Sequence, residues 1–274
     1  MAPRILAALR GTRWFTRFFL PSNRHYLREE HGMPLDEKAL GRLARILAFI
    51  AGALNAGGFL ALGFYTSHVT GNVSRSADEL ILGHWFNATS AAVLVLTFGA
   101  GAFTTGLMLS YGRRRRFRAR YAFALLLEAG LLTLFGLSGN AMAHASFFAP
   151  VTAVLLSFVM GMHNAVVTKI SRAVVRTTHM TGNVTDFGIE LSQLLYFNHS
   201  HGRRLEPVVA NRRRLLLHLS IVVSFFLGGL VGAVAFRQYG YVSAVPLAGF
   251  LAILSLRPLL LDLESRTRVY VRRA

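Results

Sequence analysis

The sequence predicts an all-α integral membrane protein: six transmembrane helices forming two inverted three-helix repeats, each with a helix broken at a Thr-Gly-Asn motif. Three observations carry this expectation. Apolar residues make up 53% of the 274-residue chain and charged residues 15%, a balance too apolar for a soluble domain of this size. The apolar residues come in long runs rather than in the short periodic stripes of a globular core. And one polar stretch between two such runs occurs twice.

The elements follow in order. Residues 1–35 are basic and carry Trp14, Phe15, Phe18 and Phe19. They lack an uninterrupted apolar stretch and a clear cleavage site, so they read as an amphipathic segment on the cytoplasmic surface, with a transit peptide as the second reading. Residues 36–140 form the first repeat. Asp36, two residues after Pro34, is placed to cap a first span that runs to Phe64. A polar break, Ser67 to Asn72, leads into a short amphipathic stretch ending near Leu82. The second span runs from Ala88 to Tyr111. Its Gly99, Gly101 and Gly106 suit close helix approach in lipid. Arg113 to Arg116, Arg118 and Arg120 lie in the next loop, and the third span, Tyr121 to Leu137, holds Glu128.

Residues 141–262 repeat the plan. Pro150 opens a fourth span ending near Ile170; a break from Thr177 to Asn183 precedes a short stretch to Phe197. A basic loop with Arg203, Arg204 and Arg212 to Arg214 leads into the fifth span, Leu215 to Phe236, with Gly228 and Gly229. The sixth runs from Val242 to Leu261, and residues 263–274 form a basic tail.

Charge orients these spans. Of the 30 Lys and Arg residues, all but Arg75 and Arg237 fall on one side if there are six spans. The positive-inside rule then places both termini in the cytoplasm, with the chain in the cell inner membrane. Five or seven spans would put a basic cluster outside. In a soluble protein a net charge of +18 would suggest nucleic acid. Here the arginines sit between apolar runs and no nucleic-acid-binding pattern appears, so the expected partners are the bilayer and its anionic headgroups. The chain has no cysteine, which excludes disulfides, thiolate metal sites and cysteine nucleophiles.

The duplication is the main signal. SHVTGNVSRSADEL, from Ser67, aligns without a gap with THMTGNVTDFGIEL, from Thr178. Upstream, Gly52-Ala53-Leu54-Asn55-Ala56 matches Gly161-Met162-His163-Asn164-Ala165, with two extra residues in the second copy. A duplicated unit of three spans must insert upside down, so the repeat is inverted.

Non-helical backbone at membrane depth needs protein or a water-filled cavity around it. Glycine permits the turn, and Thr70 and Thr181 are placed to cap the short helices that follow. Such helix starts offer free N–H groups and partial positive charge to an anion or a carbonyl group. The expected solute site is therefore Asn55, Thr70, Asn72, Asn164, Thr181 and Asn183. The bland alternative is that these residues only cap, turn and pack. His68 and His179 flank the breaks as gating candidates. Glu128, Glu79 and Glu190 are candidates for proton coupling, with snorkelling or arginine pairing the alternative for Glu128. Metal ligation by the histidines lacks a ligand pair at helical spacing or a carboxylate cluster, and no cofactor is implied.

The segments GALNA…SHVTGN and GMHNAVVTKISRAVVRTTHMTGNVTD resemble the YoaK-like family of bacterial membrane proteins, domain of unknown function 1275, over about residues 41–261. The resemblance implies a multi-pass, membrane-embedded protein and assigns no substrate. The family pattern usually has Asp where this chain has Asn55.

A transporter or permease for a small polar or anionic solute, with its site between the repeats, is the leading expectation. A passive channel of the same architecture and a non-transporting scaffold or lipid-binding protein are the alternatives. An intramembrane enzyme is not expected, because no nucleophile elbow, metal-binding histidine pair or nucleotide-binding glycine loop occurs. The small-residue faces serve packing within one chain or between copies, so a homo-oligomer stays open.

Overall fold

A computed structural model describes residues 37–63, 65–117, 119–142, 148–171, 176–198 and 206–271. The amphipathic reading of residues 1–35 and the loop arginines Arg203 and Arg204 lie outside them. The described chain forms α1 (Glu37–Leu62), α2 (Val69–Ile81), α3 (Trp85–Arg114), α4 (Arg120–Met142), α5 (Phe148–Ile170), α6 (Met180–Leu195), α7 (Arg212–Tyr239), a 3-10 turn (Gly240–Ser243) and α8 (Ala244–Val271). No strand occurs among the described residues.

Among the described residues, five stretches are long and apolar enough to cross a membrane: Ala39–Leu60, Trp85–Arg114, Arg120–Gly139, Val151–Ile170, and one continuous run, Arg212–Asp262. That last run, 51 residues long, takes in both the fifth and the sixth expected spans. Its apolar character persists through the reversal because Gly240, at φ 64°, turns the chain without a polar loop. α8 continues as helix to Val271, through most of the expected tail.

Contacts fix the relative helix directions. Gly41 lies beside Leu217, and Gly57 beside Phe236, so α1 and α7 run parallel. Ser157 bonds the Leu94 carbonyl and Thr105 the Met162 carbonyl, which makes α3 and α5 parallel. α1 and α5 are antiparallel: His163 meets the Leu47 carbonyl, whereas Ser157, earlier in α5, meets the Thr66 carbonyl just after α1. Gly112 against Arg120 marks the reversal between α3 and α4. Gly136 against Val245 and Gly139 against Tyr241 set α4 antiparallel to α8. Directions therefore alternate through α1, α3, α4, α5, α7 and α8. Arg113 to Arg116, Lys169 and Arg212 to Arg214 share one end of the bundle with the start of α1; Arg75 and Arg237 lie toward the other.

Four glycines bring the principal helix pairs together. A side chain on Gly52 would collide with the Phe225 carbonyl of α7, and one on Gly228 with the Phe49 carbonyl of α1. Gly161 meets Phe98, and Gly101 meets Phe158, in the same way across α3 and α5. Each pairing sets a Phe-x-x-Gly segment of one helix against another in its partner, close enough for Cα–H···O contacts. Gly99 and Gly106, expected to pack, have no neighbour within 4 Å.

Burial places α1 and α5 at the centre. Their apolar windows are each 61% buried, against 22% for α3. Leu43, Leu47, Ile50 and Leu54 of α1 pack with Leu125, Leu132 and Phe135 of α4 and Leu156 and Met160 of α5 in one core. The two central helices are also those that end in the polar breaks.

One expectation about those breaks is corrected. Thr70 and Thr181 do not cap α2 and α6. The helices begin two residues earlier than such caps would place them, at Val69 and Met180, with His68 and His179 as N-cap residues that make no side-chain cap bond. Gly71 and Gly182 lie within the first helical turn and serve a different need. The His68 and His179 rings fold back against them, where a methyl group would collide with the imidazole.

Candidate functional site: the two helix breaks

Each break is tied to the central helix before it by an asparagine. Asn55 Oδ1 accepts from Ser67 Oγ at 2.7 Å and from the Ser67 amide at 3.4 Å. Asn164 Oδ1 accepts from Thr178 Oγ1, while its Nδ2 donates to the Met160 carbonyl at 2.8 Å. Ser67 and Thr178 occupy matched positions in the duplicated motif, so one bond is made twice. Since α1 and α5 are antiparallel, the copies lie toward opposite ends of the bundle. The six expected site residues are thus held as two clusters, not one.

Within each cluster the residues divide by exposure. Asn72 and Asn183 are buried, whereas Thr70, Thr181, His68 and His179 are exposed. Asn183 Nδ2 donates to the Arg176 carbonyl at 2.8 Å, which leaves its Oδ1 to accept from His218 Nδ1 of α7 at 3.2 Å. His218 Nε2 lies 3.9 Å from Asp186.

The glutamates fasten the far ends of the short helices. Glu79 accepts from His84 Nδ1 at 2.8 Å and Asn87 Nδ2 at 3.2 Å, at the start of α3. Glu190 accepts from the backbone amide of Asn211, the N-cap residue of α7, at 2.8 Å. The bond from Asn87, then that from His84, holds the Glu79 carboxyl below its ordinary range. A depressed carboxyl stabilises the fold above its ordinary pKa, and that contribution is lost as the pH falls through the depressed value. Hydrogen exchange at the start of α3, corrected for intrinsic rate, will therefore quicken in acid. Glu79→Gln will remove that acid dependence; an unchanged profile would mean the bonds hold nothing.

Glu128 is fully buried in the bundle interior, 2.7 Å from His163 Nδ1. Its burial rules out snorkelling, and among the described residues it pairs with no arginine.

Three features lie outside the sequence-based site. Thr66 and Thr177 immediately precede the aligned motif, and their matched hydroxyls are buried without a hydrogen-bond partner. Extending the alignment by one residue would have found them. His163 occupies the position of Leu54 in the first copy, a difference already visible between GALNA and GMHNA. His218 carried no signal, since Ala91, at the corresponding point of α3, is apolar.

Residues 43–256 match the family described as "Protein of unknown function (DUF1275)". The chain belongs to this family. The matched region runs from early α1 well into α8 and so takes in both breaks and nearly all of the central helices. No curated protein and no solved structure matches the chain. With a family of unknown function and several helices apolar enough to span a bilayer, the site's geometry must carry any functional reading.

Proposed function

We propose that this DUF1275 protein is a multi-pass inner-membrane transporter or permease for a small polar or anionic solute. It crosses the bilayer six times as two inverted repeats and keeps both termini in the cytoplasm. The observation that carries the reading is the pair of breaks, built from the same residues and set toward opposite ends of two antiparallel central helices. Paired broken helices of this kind recur where alternating access works about a fixed site. The 51-residue apolar run through α7 and α8 is long enough for two spans. The clustering of arginines at one bundle end supports the orientation and a contact with anionic headgroups.

The chemistry of the breaks favours a polar or anionic solute. The first amides of α2 and α6 have no side-chain cap, and each helix start carries partial positive charge. The Asn72 side chain supplies directional bonding there, and Asn183, which bonds the Arg176 carbonyl and His218, keeps a second amide N–H to offer. Asn55 and Asn164 are engaged in holding the breaks, and we assign them to positioning. That engagement also favours a second reading, a non-transporting scaffold in which the polar groups satisfy one another.

Thermal unfolding of the detergent-purified chain against a panel of small polar and anionic solutes separates the two. A solute bound only by the folded state raises the melting temperature by mass action, about 2.7 kcal/mol of stabilisation at a hundredfold excess over Kd. We expect such a shift in wild type and its loss in Asn72→Ala/Asn183→Ala, with the unliganded variant still folded. No shift with any solute, or one that survives in the variant, would favour the scaffold. Counterflow in vesicles then distinguishes a carrier from a channel.

A further inference from the structure

The His163–Glu128 pair lies outside both breaks, and the geometry points to a proton-binding site where α1, α4 and α5 meet. Both side chains are 0% exposed. The Leu47 carbonyl, 3.1 Å from His163 Nε2, can only accept, so Nε2 carries a hydrogen. The short Nδ1···Oε1 line then holds a single proton, written either as imidazolium with carboxylate or as neutral imidazole with carboxylic acid. The other carboxyl oxygen, Glu128 Oε2, is buried with no hydrogen-bond partner. A fully buried carboxylate oxygen without a donor is costly, and a second proton placed there neutralises the carboxylate and leaves the pair with the single positive charge of the imidazolium.

The step is a plain protonation. A hydronium ion gives a proton to Oε2, water leaves, and the pair becomes an imidazolium donating to the Oε1 of a neutral acid. Loss of the negative charge weakens the bond joining α4 to α5.

The elements that pack against α4 and α5 carry Arg42 and Arg45 (α1), Arg113 and Arg114 (α3), Tyr241 (the 3-10 turn) and Asp262 (α8), and α4 and α5 themselves carry Arg120 and Lys169. Among the described residues none of these bonds to Glu128 or His163. The pair answers to its own proton count. Because it is sealed from solvent in this state, proton exchange requires another arrangement of the helices, and a proton favouring one arrangement biases the equilibrium between them. Under the transport reading, on which this consequence rests, that is proton coupling.

The test needs no solute. Infrared difference spectra of the full chain in lipid, recorded as the pH is stepped between about 4 and 9, follow the stretching band of a protonated carboxyl group. We expect a titrating band that is lost in Glu128→Gln. His163→Gln leaves the carboxyl in place and should change the pH at which the band appears. A wild-type band retained in Glu128→Gln, or a titration unmoved in His163→Gln, would reduce the pair to a structural bond. Should Glu128→Gln fail to fold, the His163→Gln titration decides. A negative result here leaves solute binding at the breaks standing, and an empty solute panel leaves the proton site standing.

Discussion

Replacing His163 by leucine while Glu128 remains will cost about 3–5 kcal/mol of stability, because it strands a carboxyl group in the bundle core. Both partners are fully buried, so water cannot take over the lost bond. Leucine is the residue at the equivalent position of the first repeat, Leu54, so its shape suits a central helix at that depth. The informative comparison is the double variant His163→Leu/Glu128→Leu. With both polar groups gone, the desolvation penalty goes with them, and most of the loss should be recovered. Unfolding of the two single variants and the double variant in one detergent forms a closed cycle. If the double variant is as unstable as the singles together, the pair's worth lies in shape and not in charge.

The second large effect concerns the helix crossings. Gly52→Ala should cost about 1–3 kcal/mol, and Gly52→Leu should prevent the α1–α7 contact from forming. The colliding atom is a backbone carbonyl of Phe225, which cannot swing aside as a side-chain tip could. Gly161→Leu should do the same to α3 and α5. Gly99→Leu and Gly106→Leu, where nothing lies within 4 Å, should stay within about 0.5 kcal/mol of wild type. Size-exclusion profiles and melting temperatures in detergent read both sets. Since helix propensity favours alanine and leucine over glycine, equal sensitivity at Gly99 and Gly52 would mean that the crossing does not set the cost.

These substitutions mark where sequence reading reaches its limit. Gly99, Gly101 and Gly106 look alike as small residues in one apolar run, yet only Gly101 meets a neighbouring backbone. Lipid is as apolar as leucine, so a membrane helix carries little amphipathic pattern to reveal its packing face. The Phe-x-x-Gly spacing at Phe49, Phe98, Phe158 and Phe225 was legible, but it also occurs at Phe103 and Phe226 and has no meaning until partner helices are known. The misassigned caps have a local cause. Threonine is the better capping residue by propensity, yet the helices start two residues earlier than a threonine cap would place them, with the histidine ring in the space that Gly71 or Gly182 leaves.

By itself the sequence determined where the helices lie, where the two central ones break, and that the breaks are copies of one motif. Each of these depends on the order of apolar, polar and glycine residues along the chain, and hydrogen bonding within a helix makes that order decisive locally. Only the tertiary structure decided that α1 pairs with α7 and α3 with α5, that the Asn clusters stand at opposite ends, and that Glu128 faces His163. Those outcomes depend on which side of each helix meets another. In a bundle whose faces are nearly uniformly apolar, shape at a few glycines and the need to satisfy a few buried polar groups make that choice.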